Sequence, residues 1–457
     1  MIMDEVLSRF IEGCPVAVMA RLGLEHALSR DWVDEIFEKH RKRQYTRELL
    51  FSTVVDLMSL VATGQRPSLN AAAQKNRELA VSLTALYDKV NHTEPDVVQA
   101  LVRGSAERLT QVVARLHPKR TSLLEGYRVR ILDGNHLPAS EKRLGVLRGF
   151  RGAALPGHSL VVYEPELGLV TDLVPCEDAH AQERLLSNAL LSKVSSDELW
   201  MGDRNFCTRP AMIMVAEQSG FFLFREHANT NPTAVGERRE IGRTDTGIVY
   251  EQPVEIPKED GTKMRIRRIE LVLNTPTTDG DTVIRMLTNL PRRIRAKKIA
   301  ELYRRRWSIE GMFGRLEAAL NSEVRTLGYP RGALLAFGCA IIAYNALSLI
   351  ETAITSVHDL DAQGIQLSTY YIADDIKSAY RGMMLAVAAT AWTQLATGNA
   401  MELAQTLRYI AEHVEPRMFR KHPRGPKKPT KSKGYVSRKT VQKHVATARV
   451  LRDGVIR

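Results

Sequence analysis

Asp133 directly follows a strand-like segment over residues 127–132 and precedes Gly134, and Asp203 repeats the arrangement after Leu199, Trp200, Met201 and Gly202. A third acid, Glu310, lies four residues after Arg306 inside the sharpest amphipathic pattern of the chain. Carboxylates are hard oxygen ligands, so an acid at a strand's end, where the backbone turns away, can hold a divalent cation. Two such acids meet if their strands are neighbours in one sheet. Each acid also has a plain reading. Asp favours turns, where it hydrogen-bonds its own backbone, so both can be turn caps. Arg306 and Glu310 can form a surface ion pair at i,i+4, worth about 0.3 to 0.5 kcal/mol.

The elements that must position these acids follow from periodicity. Residues 127–132, 159–163, 169–174 and 198–202 read as strands, residues 179–193 and 210–218 as helices, and 221–224 as a short core strand, which makes a mixed α/β region. Downstream, Ile299, Leu302, Ile309, Phe313, Leu316 and Leu320 recur at spacings of three, four or seven, the stripe of one packed helix. Tyr303, Arg306, Glu310 and Glu317 form a second stripe beside the first, at the rim of the core. Between the two regions, residues 226–287 are charged and Thr-rich, with segments 247–256 and 263–273 separated by Gly, Pro and Asp turns, so this part is β-rich. Residues 1–120 read as helical, with Leu49, Leu50, Val54, Leu57, Met58 and Val61 on one face after a capping Thr46 and before Gly64. Further helices start at Ser68 and after Thr93, where Pro95 falls in the first turn.

A chain of 457 residues that is 44% hydrophobic can bury a large core and form two or three domains. Cys14, Cys176, Cys207 and Cys339 have no paired spacing, so neither a zinc site nor a disulfide framework is expected and a reducing, cytoplasmic setting fits. The N-terminus lacks the basic-then-apolar pattern of a signal peptide. Residues 332–350 carry no charge and reach the length of a membrane span. Asn345, Tyr344, Ser348 and two glycines in the run favour a buried core helix, as does the second uncharged run at 382–397, too short to cross back. The net charge is +13, and residues 416–457 hold fourteen Lys/Arg against the single acid Asp453. The tail therefore carries the whole net charge, and a basic run of that kind points to a polyanion partner. Up to about Gly434 its Pro, Gly and Lys content predicts disorder without a partner.

Thr288-Asn289-Leu290, then Tyr303, Arg306-Trp307, Ile309-Glu310 and Phe313, together with Asp133-Gly134 and Asp203-Arg204-Asn205-Phe206, resemble the DDE transposases of bacterial insertion sequences. The branch resembled is the insertion-sequence-four family, which carries a Tyr-x2-Arg-x3-Glu-x6-Lys signature, and the resemblance spans roughly residues 127–350. One departure is plain: Glu317 stands where the signature has Lys. Arg315 or Arg325 could serve instead, DNA could be gripped differently, or this copy could be weakened.

The resemblance implies an α/β, ribonuclease-H-like catalytic core, a mixed sheet with flanking helices in two parts, 121–225 and 288–350, interrupted by the β-rich insertion at 226–287. An N-terminal helical domain (1–120), a C-terminal helical region (351–415) and the basic tail (416–457) complete the expected organisation. Asp133, Asp203 and Glu310 are implied to be catalytic and to hold two Mg²⁺ or Mn²⁺ ions for DNA cleavage and strand transfer. Tyr303, Arg306 and, more weakly, Arg204 are the implied contacts to phosphates, with a rim aromatic packed on the core as the rival reading of Tyr303. Lys427, Lys428, Lys431 and Lys433 are the densest part of the DNA-binding tail. The expected partners are double-stranded DNA, both element ends and target, and a second copy of the chain, with no membrane. A nuclease of the same fold that does not join ends, or a weakened DNA-binding descendant, are the competing readings.

Overall fold

Apolar residues at helical spacing fold the first quarter of the chain into α1 (Glu5–Gly13), α2 (Pro15–Ala27), α3 (Arg30–His40), α4 (Phe51–Ala62), α5 (Leu69–Ala73), α6 (Leu83–His92) and α7 (Pro95–Leu116). The computed structural model describes residues 5–422 except 45, 47, 77–78, 117–121, 138–157, 179–180, 182, 278–279, 325 and 397–398. Ser68 caps α5 by accepting from the Ala71 N–H, and Pro95 opens α7, where its missing N–H costs nothing. Thr46 does not cap α4: its hydroxyl bonds Glu38, and the helix begins only after Leu50. The helix α6, capped by Ser82, has no clear signal in the sequence, because its polar residues blur the apolar period.

Ten strands form one sheet: β1 (Arg128–His136), β2 (His158–Glu164), β3 (Leu169–Cys176), β4 (Glu198–Gly202), β5 (Phe221–Arg225), β6 (Thr233–Ala234), β7 (Arg239–Thr244), β8 (Gly247–Pro257), β9 (Lys263–Leu273) and β10 (Val283–Thr288). Their order is β3-β2-β1-β4-β5-β10-β9-β8-β6, with β7 pairing β8. The pairs β1–β4 and β4–β5 are parallel and the others antiparallel. Two helices make the crossovers, α8 (Glu183–Leu191) before β4 and α9 (Arg209–Glu217) before β5. The β-rich segment extends this same sheet through β10, which pairs β5 on one side and β9 on the other.

After the sheet come α10 (Ala296–Tyr303), α11 (Ser308–Ala319), α12 (Pro330–Val357), α13 (Thr369–Ala386), α14 (Ala389–Ala396) and α15 (Ala400–Ala411). The expected single helix through Glu310 is in fact two, joined by a 3-10 turn over Arg304–Trp307. The helix α12 is long and apolar enough to cross a membrane, yet it is buried along its length against α2, α4 and α7. The sheet therefore has two differently covered faces. On one, Ile131, Val161 and Tyr163 pack with Ile299, Ile309 and the helical core that includes α12. On the other, Leu132, Leu160 and Trp200 pack with Leu190 and Leu191 of α8 and Met212 of α9. Arg325 and the tail from residue 423, with Lys427, Lys428, Lys431 and Lys433, lie outside the described residues.

Candidate active site

The parallel register of β1 and β4 sets Ile131 opposite Met201, and Asp133 and Asp203 each stand two residues further on. Side chains two apart share a face, and neighbouring strands run about 4.8 Å apart, so both acids reach the same end of the sheet. That end is the carboxyl edge of the parallel strands, where open α/β sheets place their ligands. The strand β1 does not stop at Asp133, as the sequence suggested. It continues antiparallel to β2, with Asp133 facing Val161, and it is the pairing with β4 that ends. Asp203 is also a turn cap: its carboxylate accepts from the Asn205 N–H at 2.8 Å and opens a 3-10 turn over Arg204–Phe206. The capping and the site geometry coexist, because the turn fixes the carboxylate at the strand's end.

Glu310 arrives from the opposite direction, in the first turn of α11. Between it and Asp133 lies Arg306, whose guanidinium donates to Glu310 Oε1 at 2.9 Å and stands 3.7 Å from Asp133 Oδ2. The 3-10 turn places Arg306 on the inner side, where only 9% of it is exposed. Tyr303 is not at the rim but 2% exposed, and its hydroxyl donates to the Gly202 carbonyl at 3.4 Å. It ties α10 to the end of β4, which leaves no open face of the ring for a phosphate. The Trp307 ring meets Tyr303 edge-on and is more than a third exposed.

Arg204 is half exposed and engaged, with Arg225, on Asp281 Oδ2. Arg315 donates to the Tyr344 hydroxyl at 2.8 Å and lies near that of Tyr163, so it is anchored in the core rather than replacing the missing lysine. Glu317 is exposed. Sequence reasoning missed one acid altogether: Glu183, in the first turn of α8, whose Oε2 accepts from Asn205 Nδ2 at 3.3 Å. The sequence signal for it is weak, since Glu177 and Asp178 stand nearby with equal claim.

Burial, with Asp203 and Glu183 adding like charge, pushes the Asp133 carboxyl from 3.8 up to about 7, against the lowering pull of Arg306 and the Gly134 N–H. Burial likewise raises Glu183, and Asp203 adds to it. A carboxyl raised on folding keeps a proton that the unfolded chain has released, so its contribution to stability is present below 3.8 and is lost as the pH rises through about 7. The metal-free protein is therefore expected to lose thermal stability over that window, and Asp133→Asn to flatten the loss. Parallel melting-temperature profiles for the two proteins would refute the assignment.

The donors are carboxylates throughout, the ligand type that Mg²⁺ and Mn²⁺ take. Among the described residues, no three acidic, histidine or cysteine side chains are gathered closely enough to hold one ion. The physical reason is Arg306, which occupies the space between Asp133 and Glu310 as their counter-charge. Glu310 has 55% of its side chain exposed, so it can turn from Arg306 toward Asp133 at little cost. The residues thus fit a divalent cation in their chemistry, and Glu310 could join Asp133 around one only once the guanidinium gives way.

No curated protein matches the chain. Residues 124–346 match the family model of the transposase DDE domain. The mixed sheet with helices on its faces is consistent with a ribonuclease-H-like domain of that kind, and such domains generally use divalent metal ions. The match takes in Asp133, Asp203 and Glu310 and both sides of the β-rich segment, and it supports a DDE transposase.

Proposed function

We propose that the chain cleaves DNA at the ends of an insertion sequence and joins the freed 3′ ends to target DNA, as a member of the Tyr-Arg-Glu-Lys branch. The observation that carries this reading is that Asp133 and Asp203 follow equivalent positions of neighbouring parallel strands while Arg306 reaches both Asp133 and Glu310. Two Mg²⁺ or Mn²⁺ ions held by the three acids would activate the attacking oxygen and stabilise the leaving oxygen. Water attacks the phosphodiester first and frees a 3′-hydroxyl, and that hydroxyl then attacks the target strand in the same site. The residues prepare both steps. Asp133 is fixed by the Gly134 N–H and Asp203 by its own turn, so neither carboxylate has to be ordered when the substrate arrives. Arg306, once released by Glu310, is buried next to the reacting phosphate, and its planar fork matches two phosphate oxygens. Trp307, exposed beside it, offers a ring face to an unstacked base.

Double-stranded DNA is the substrate, and a dimer that brings two ends together is the assembly proposed. The N-terminal helices are the proposed reader of the end sequence. The basic tail neutralises phosphates without reading bases. Deleting residues 423–457 removes eleven Lys/Arg. The deletion is expected to weaken binding and to flatten the slope of log affinity against log salt, by about 0.9 for each phosphate that is no longer neutralised. Equal slopes for the full and shortened chains would refute a role for the tail. Glu317 favours a second reading, a descendant that binds DNA and cuts it poorly.

The test is a cleavage and strand-transfer assay with Mg²⁺ or Mn²⁺ on DNA carrying the repeats that flank the gene. Joined products establish the transposase. Nicks without joining favour a nuclease, and intact bound DNA favours the weakened descendant.

A further inference from the structure

Residues 292–305 hold seven Lys/Arg against the single acid Glu301, a local excess in a body that is otherwise electrically balanced. The fold of α10 decides where these charges go. Ile299, Ala300 and Tyr303 are buried, which turns Lys298, Arg304 and Arg305 to solvent on the other side of the helix. Lys297 lies over β7: a Cβ on Gly242 would come within 2.8 Å of its Nζ, so the glycine beside the β-bulge makes room for it. Arg292 and Arg295 continue the exposed surface ahead of the helix. Arg293 is tied to the Tyr127 hydroxyl, and among the described residues the other six form no ion pair.

These charges do not serve the helix. Arg295, Lys297 and Lys298 stand at its N-terminal end, where the backbone dipole favours acids, and no acid occupies the first turn. Like charges set close together hold counter-ions, and a polyanion that displaces those ions binds with a gain in entropy. The surface also leads straight into the candidate site. Arg304 and Arg305 belong to the 3-10 turn that contains Arg306, and Arg306 stands 3.7 Å from Asp133. The eight residues of α10 extend the charged surface from there by about 12 Å, at a rise of about 1.5 Å per residue. That is the length of about three to four base pairs of duplex, at about 3.4 Å each.

We propose that this face of α10 is a track for duplex DNA, gripping the phosphates of the few base pairs that adjoin the reacting bond. It is separate from the basic tail and touches no base. This rests on the reading of the Asp133 site as the place where DNA reacts.

The experiment is binding of the full-length protein to a duplex carrying the repeats that flank the gene, over a salt series and with phosphate-ethylation interference. Arg295→Gln, Lys298→Gln and Arg305→Gln together neutralise three exposed charges and leave Arg306 in place. The triple variant is expected to bind roughly tenfold to a hundredfold more weakly at about 0.1 M salt, and its slope of log affinity against log salt to flatten by about 2.7, or about 0.9 per phosphate. Ethylated phosphates within about four base pairs of the element end should hinder the parent and lose their effect in the variant. Should the triple variant not fold, Lys298→Gln alone is expected to flatten the slope by about 0.9. Arg295→Lys with Arg305→Lys keeps the charge and should bind as the parent does. Parent-like affinity and slope in the neutralised variants overturn the proposal, and so does weakened binding with an unchanged interference pattern at the element end. If sedimentation shows lost self-association with DNA affinity intact, the surface meets a second copy of the chain and the proposal fails alone. If the parent shows no interference at the element end, the reading of the Asp133 site fails and the proposal falls with it.

Discussion

Asp133→Asn is expected to lower the rate of metal-dependent DNA cleavage by roughly 10⁴-fold, the scale seen when one member of a concerted catalytic set is removed. The substitution preserves shape and the hydrogen bond from the Gly134 N–H, so the loss is electrostatic rather than steric. It removes a partly buried carboxylate that stands 3.7 Å from Arg306 and feels the like charge of Asp203. The folded state should not suffer, because a buried like charge has gone, and DNA binding through the basic tail should remain. Single-turnover cleavage of an end-bearing duplex with Mn²⁺, beside a melting curve, checks both halves. Residual cleavage within tenfold of the parent would place the chemistry elsewhere.

The largest effect on stability is expected at Asn345, whose side chain is fully buried in α12. Its Oδ1 accepts from the Val170 N–H at 2.9 Å and its Nδ2 donates to the Val170 carbonyl at 2.8 Å. The strand β3 ends the sheet order, so this amide does for Val170 what the peptide of a further strand would do. Asn345→Leu keeps the branched shape but leaves both backbone groups buried and unpaired, at about 1 to 3 kcal/mol each, so a loss of about 2 to 6 kcal/mol is expected. That is a large share of the roughly 5 to 15 kcal/mol that holds most domains together. Urea unfolding at constant slope measures it, and a loss below about 1 kcal/mol would mean that Val170 finds other partners. The uncharged run at 332–350 is thus core sequence with one polar contact built into it, which explains an asparagine in an otherwise apolar helix.

Much of the catalytic region is legible in the sequence because its signals are local. The strand before Asp133, the strand before Asp203 and the helix pattern around Glu310 each declare themselves within about ten residues, since side-chain period follows directly from backbone geometry. The break at Arg304–Trp307 is not legible, because apolar spacing over Ile299 to Leu320 tolerates a few residues of tighter winding without losing its face. That break matters. It points Arg306 at two carboxylates, while Tyr303, the last residue of α10, is buried on the same face as Ile299.

The groups able to do chemistry stand out along the chain: two acids after strand-like segments, a third on an amphipathic helix, and a tail carrying all of the net charge. These follow from residue type and short-range periodicity. Folding in three dimensions makes β1 and β4 parallel neighbours in equal register, sets Arg306 between Asp133 and Glu310, and brings Glu183 over Gly134 from the far face. Each of those depends on elements far apart in the chain, and their meeting is fixed by sheet order and by which face each helix buries. No local pattern encodes either choice.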